Sequence, residues 1–206
     1  MSSASAAYFT QYALQVSDRY IALYYLCFFV SVICLQPLWL KLGKNYAKHT
    51  LFIVLCFTLA AVNLTWFFGD ASENIVLFIV RSSFTGACFG GIIVMGQSML
   101  PDTIDYDMRT SGTNQKCLLA SLFSFAEKSS TALGIALVGL VLGFSGYLES
   151  SNSQSLSQPS SAIRAIYFCF AALPAIFMIA SALLMKRYSL SEQQLLSIAT
   201  PQPTAS

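Results

Sequence analysis

The chain has 206 residues, of which 56% are hydrophobic and only 10% charged, where a soluble globular domain carries roughly 25% charged residues. With 11 Lys+Arg, 9 Asp+Glu and a mean hydropathy of +0.64, it holds too few charges to build a polar shell. Composition therefore excludes a disordered chain, a nucleic-acid binder and an ordinary soluble enzyme, and predicts an integral membrane protein.

In chain order, residues 1–19 come first. Residues 6–16 are apolar but would make a helix only about 16 Å long, too short for a hydrocarbon core of about 30 Å. Residues 1–7 lack the positive start and long apolar core of a cleavable signal. Residues 1–19 are read as a partial helix followed by an external segment. Five apolar stretches follow, at about 20–40, 51–68, 75–100, 118–144 and 163–185, each near or above the roughly 20 residues that span a bilayer. In lipid they must be helices, because open sheet edges leave backbone groups unsatisfied. The expected fold class is all-α: five transmembrane helices after a short N-terminal stub, with residues 20–187 as the bundle. The Ser-rich stretch 150–161 reads as an external loop. Residues 188–206, with Pro201 and Pro203, read as a cytoplasmic tail.

Flanking charges set the expected orientation. Lys41, Lys44 and Lys48 follow the first span, Arg109 and Lys116 follow the third, and Lys186 and Arg187 follow the fifth. Only Arg19 and Arg164 flank the opposite ends. This excess places the C-terminus in the cytoplasm of a multi-pass cell-membrane protein. The six cysteines lie in or beside apolar runs without CxxC spacing, which suggests buried free thiols.

The residues that offer chemistry are few. Lys128 lies about 15 Å into the fourth span, near the bilayer midplane. It should face the bundle interior or a water-filled cavity, the alternative being a lysine that neutralises or snorkels along its stem. Glu127 is adjacent but about 100° around the helix, hence a poor partner, while Ser124 lies one turn before Lys128 on the same face. Arg81, nearer a span end, is expected to snorkel to the interface. Pro37, Pro101 and Pro174 can kink or end helices. Ala132, Ala136, Gly139 and Gly143 allow close helix contact. Between the third and fourth spans, Asp102, Asp105 and Arg109 fall at helical spacings, predicting a short cytoplasmic helix with an internal ion pair. Asp102, Asp105 and Asp107 miss the EF-hand spacing, so no metal site is expected. The single His49, with no HExxH, and the absence of a P-loop or GxGxxG leave no catalytic residue or enzyme class to name.

The stretch MLPDTIDYD (residues 99–107), then Ser111-Gly112, SFAEK (residues 124–128), Gly146-Tyr147 and the tail Tyr188-Ser-Leu-Ser-Glu192 resemble the glycoside–pentoside–hexuronide:cation symporters. That family is a melibiose-permease-like branch of the major facilitator superfamily. Residues 36–50 resemble, in degenerate form, its basic loop between helices 8 and 9. The resemblance implies that the five spans match helices 8–12 and residues 6–16 the end of helix 7. It implies a sugar-like or glycoside solute, a coupling cation (Na+ or H+) and no other cofactor. The lipid bilayer and an N-terminal transporter half are the other implied partners, with no nucleic acid. Lys128, Ser124 and Glu127 would line the substrate and coupling cavity. Asp102, Asp105, Asp107, Arg109 and Lys116 would form a cytoplasmic gate. Two departures stand out: Asn114-Gln-Lys-Cys117 replaces a more basic stretch, and residues 36–50 keep only scattered lysines. The other reading is a truncated or non-transporting membrane protein that acts as an interaction or scaffold module.

Overall fold

The computed structural model describes residues 18–68, 74–111, 115–146 and 159–187. The expected N-terminal stub, the tail motif at 188–192 and most of the Ser-rich loop lie outside the described residues. Among the described residues every element is helical. Helix α1 spans Asp18–Asn45, and α2 spans Lys48–Thr65, extended by a 3-10 turn at Trp66–Phe68. Helix α3 spans Ile75–Ser111 and α4 spans Lys116–Phe144. Helix α5 (Ser160–Tyr167) runs through a π turn (Phe168–Ala172) into α6 (Leu173–Met185). Five segments are long and apolar enough to cross a bilayer: Ile21–Asn45, Lys48–Thr65, Ile75–Thr110, Lys116–Phe144 and Ala162–Met185.

Local chemistry explains the departures from the expected boundaries. The lysines at 41 and 44 belong to α1, so only two residues separate it from α2. Pro101 ends nothing: α3 continues through it as a single helix of 37 residues, about 55 Å long. A proline removes one ladder hydrogen bond and crowds the carbonyl four residues back, which the turns on either side outweigh. The expected separate helix at 102–109 is therefore the last part of α3, beyond the apolar stretch. At Pro174 the cost is met differently. The ladder widens to the π turn immediately ahead of it, easing the clash with the Phe170 carbonyl.

Two apolar clusters hold the bundle. At one end Trp66, placed by its 3-10 turn, meets Tyr24, Phe78 and Phe170 edge to face, with centroids 6.0, 5.6 and 5.6 Å away. The Arg81 guanidinium lies 4.8 Å from the Trp66 ring centroid. This is a cation–π contact, made with a ring just beyond the end of α2. At the other end Leu55, Leu59, Cys88 and Met95 pack with Trp39 and Met178. Of the six free cysteines, Cys56, Cys88 and Cys169 are buried, whereas Cys34 and Cys117 are exposed.

Helix α1 lies along α3, and α2 packs against both α3 and α6. Lipid supplies no hydrophobic drive between helices, so close fit decides which faces meet. Gly86 supplies that fit: a Cβ there would collide with the Phe28 carbonyl oxygen on α1. Trp39 crosses the same seam and donates Nε1–H to the Ala87 carbonyl at 3.0 Å. Buried hydroxyls on α3 are satisfied within the helix, Ser82 to the Phe78 carbonyl at 2.7 Å and Thr85 to Arg81 at 2.9 Å. Helix α4 is attached differently. It buries only Gly134, Val138 and Leu142. Its expected packing stripe is open, for Ala132 and Ala136 are exposed and nothing lies within 4 Å of a Cβ built at Gly139 or Gly143.

Candidate functional site

Lys128 sits twelve residues after Lys116, about 18 Å along α4 and close to its middle. Its side chain is 81% exposed, and its Nζ lies 3.9 Å from Glu127 Oε1, itself on a side chain 49% exposed. That separation is an ion pair beyond hydrogen-bond reach, as expected for neighbours that point about 100° apart. Ser124 is exposed one turn earlier, and Thr131 donates its hydroxyl to the Glu127 carbonyl at 2.9 Å. Lys128 does not enter the packed interior of the described helices. At about 100° per residue, it lies within about 80° of the exposed Ala132, Ala136, Gly139 and Gly143 and borders, about 40° from Leu142, the buried strip of Gly134, Val138 and Leu142. The three residues assigned to a cavity thus stand together on an open helix, with no wall of this chain described opposite them.

The gate residues divide. Asp102 Oδ2 accepts from Lys48 Nζ at 2.6 Å, both side chains being less than one-third exposed. The expected ion pair inside the 102–109 segment is replaced by one across helices. Asp105 and Arg109 lie about one turn apart on α3, the spacing behind that expectation, but the pair that forms uses Asp102, which antiparallel α2 meets with its first residue. Asp105 and Lys116 face a shallow cleft of about 420 Å³ between α3 and α4, floored by Pro101, Ile104, Cys117 and Ala120. Asp107 is half-buried and Arg109 exposed. Among the described residues no group of three His, Cys, Asp or Glu is placed to hold a metal ion.

Sequence reasoning missed Lys48 as the partner of Asp102, since 54 residues separate them. The signal available was a lysine at the start of one span and an aspartate at the end of the antiparallel next. It also missed the Gly86–Gly90 stripe, legible as two glycines four apart in an apolar helix.

Five bilayer-length helices and their core define a multi-pass α-helical membrane protein. The sequence model of the MFS/sugar transport protein family matches residues 1–192, and the chain belongs to that family. It is 22% identical over 192 residues to a glucuronide carrier protein homolog of Escherichia coli, covering 93% of this chain and 41% of that protein. Over 141 residues it is 28% identical to the inner membrane symporter YicJ of Escherichia coli, covering 68% of this chain and 30% of that one. An uncharacterised symporter of Synechocystis is 30% identical over 119 residues, or 57% of this chain and 22% of its own length. The chain thus spans between about a fifth and a little over half of the curated relatives it matches.

Proposed function

We propose that this chain forms the C-terminal half of a secondary active transporter that couples a cation, Na+ or H+, to movement of a sugar-like solute. The observation that carries the reading is Lys128, a lysine near the middle of a spanning helix with its side chain 81% exposed. An ionised lysine facing lipid there costs about 2.5 to 3.5 kcal/mol on insertion scales. Its face is better met by water, solute or protein. A second transporter half against that face would enclose Lys128, Glu127 and Ser124 near the midplane, where sites of this architecture form between repeats. Two relatives are named symporters and one a glucuronide carrier homolog, which favours a small, hydroxyl-rich or acidic solute.

In this reading the loose Glu127–Lys128 pair is the coupling element. Cation or proton binding at Glu127 releases the ammonium to donate to the solute, and Ser124 adds a hydroxyl one turn away. Asp102, Asp105, Asp107, Arg109 and Lys116 form the cytoplasmic gate at the far end of α3 and α4, with the C-terminus on that side of the cell membrane. Rocking of the halves alternates access. The bilayer, the solute and an N-terminal half are the partners required.

The test is cation-driven uptake of a labelled glucuronide in cells that express the chain together with a family N-terminal half. A charged hydrogen bond contributes about 1.5–3 kcal/mol, so Lys128→Ala should cut uptake by about tenfold or more at unchanged membrane abundance. Uptake indifferent to Lys128→Ala would remove the lysine from this role. No uptake in any pairing would favour the scaffold reading.

A further inference from the structure

A second cavity, of about 390 Å³, lies between α1, α2 and α3 and includes none of the residues assigned above to the solute path or the gate. Helices α1 and α2 each rest on α3 but barely touch one another, which leaves a wedge with α3 as its floor. Its walls include Leu35 and Trp39 on α1, Leu51 and Val54 on α2, and Phe84 and Cys88 on α3. It follows α1 from Ser31 to Trp39 and α2 from Leu51 to Thr58, a length of about 10–12 Å parallel to the helices. At its rim Val54 and Phe84 are 55% and 54% exposed.

The lining favours an apolar guest. No charged side chain lines the groove. Thr58 spends its hydroxyl on the Val54 carbonyl at 2.8 Å, and Trp39 its Nε1–H on Ala87. An apolar cavity of about 150 Å³ already holds benzene, and this one is more than twice that size. Left empty, its walls forfeit dispersion contacts along their whole length. The molecules that surround three spanning helices are lipids, and their chains run in the direction of the groove.

We infer that the α1–α2–α3 groove binds one acyl chain of a bilayer phospholipid, entering sideways between α1 and α2. This lipid is structural and separate from the solute path, so the inference stands or falls independently of transport.

Trp39 is a built-in reporter, because the sequence has only two tryptophans and the other, Trp66, lies in the opposite cluster. The full chain carrying Trp66→Phe is reconstituted in phosphatidylcholine vesicles with plain or brominated acyl chains. Brominated lipid should quench Trp39 emission, and Ser83→Leu, which fills the groove from its floor, should reduce that quenching by about twofold or more. Ser31→Leu does the same from the opposite wall if Ser83→Leu fails to fold. In native mass spectrometry the unaltered chain should retain one phospholipid that the filled variants release. Unquenched Trp39, as a protein segment or second copy seated in the groove would produce, overturns the inference. So do equal quenching in both filled variants and a chain that retains no lipid.

Discussion

Helices α3 and α4 are both long, apolar and supplied with small residues, yet they relate to the rest of the chain in opposite ways. Helix α3 buries Phe78, Ser82, Cys88 and Met95 and receives α1 and α2 on its flanks. Helix α4 buries one narrow strip near its far end and presents the remainder outward. The small residues show why composition alone does not predict packing. Gly86 lies directly beneath the Phe28 backbone, whereas Gly139 and Gly143 face nothing within 4 Å. In lipid, small residues permit contact but do not drive it, so a complementary surface must be present. The open side of α4 also carries Lys128, whose side chain is 81% exposed.

The sharpest way to break this contrast is to add the same bulk to both helices. Gly86→Leu should destabilise the α1–α3 seam by about 1–3 kcal/mol or more, as overpacking does, and lower the thermal midpoint of the detergent-solubilised chain. Gly139→Leu should stay within about 0.5 kcal/mol of the parent. Equal losses at both sites would show that α4 packs more closely than its exposure indicates. A smaller effect belongs to the Trp39–Ala87 bond. Trp39→Phe keeps an aromatic ring in the seam but removes the donor, and should cost about 1 kcal/mol in the same melt. The Lys48–Asp102 pair should register least, because both side chains are more than a quarter exposed. A double-mutant cycle with Lys48→Ala and Asp102→Ala should return a coupling under about 1 kcal/mol that shrinks with added salt. A coupling of several kcal/mol would mean the pair is shielded from solvent.

Much of the architecture was legible in the chain because hydropathy is a local property. Each of the five spans announces itself by a run of apolar residues long enough for a bilayer. What was not legible depended on neighbours distant in sequence. Pro101 suggested a kink or an end, but α3 continues through it, because the turns on either side hold the ladder. Asp105 and Arg109 share a helical spacing, yet the ion pair of this segment joins Asp102 to Lys48, which the antiparallel pairing of α2 and α3 brings together. Arg81 stacks on the Trp66 ring, a partner 15 residues away that its place in the third span did not reveal.

The candidate site divides along the same line. The depth of Lys128, Glu127 and Ser124 follows from counting residues along one helix, because the rise per residue is fixed. Whether that helix turns those groups inward or outward depends on which of its faces finds a fitting surface. The sequence by itself determined an all-helical membrane protein with a lysine at mid-depth. Only the tertiary structure decided that the lysine stands on an unpacked face, that an ion pair ties α2 to the end of α3, and that α1 and α2 leave a groove between them. Apolar runs and helical rise are set residue by residue, whereas fit between faces exists only once the helices are brought together.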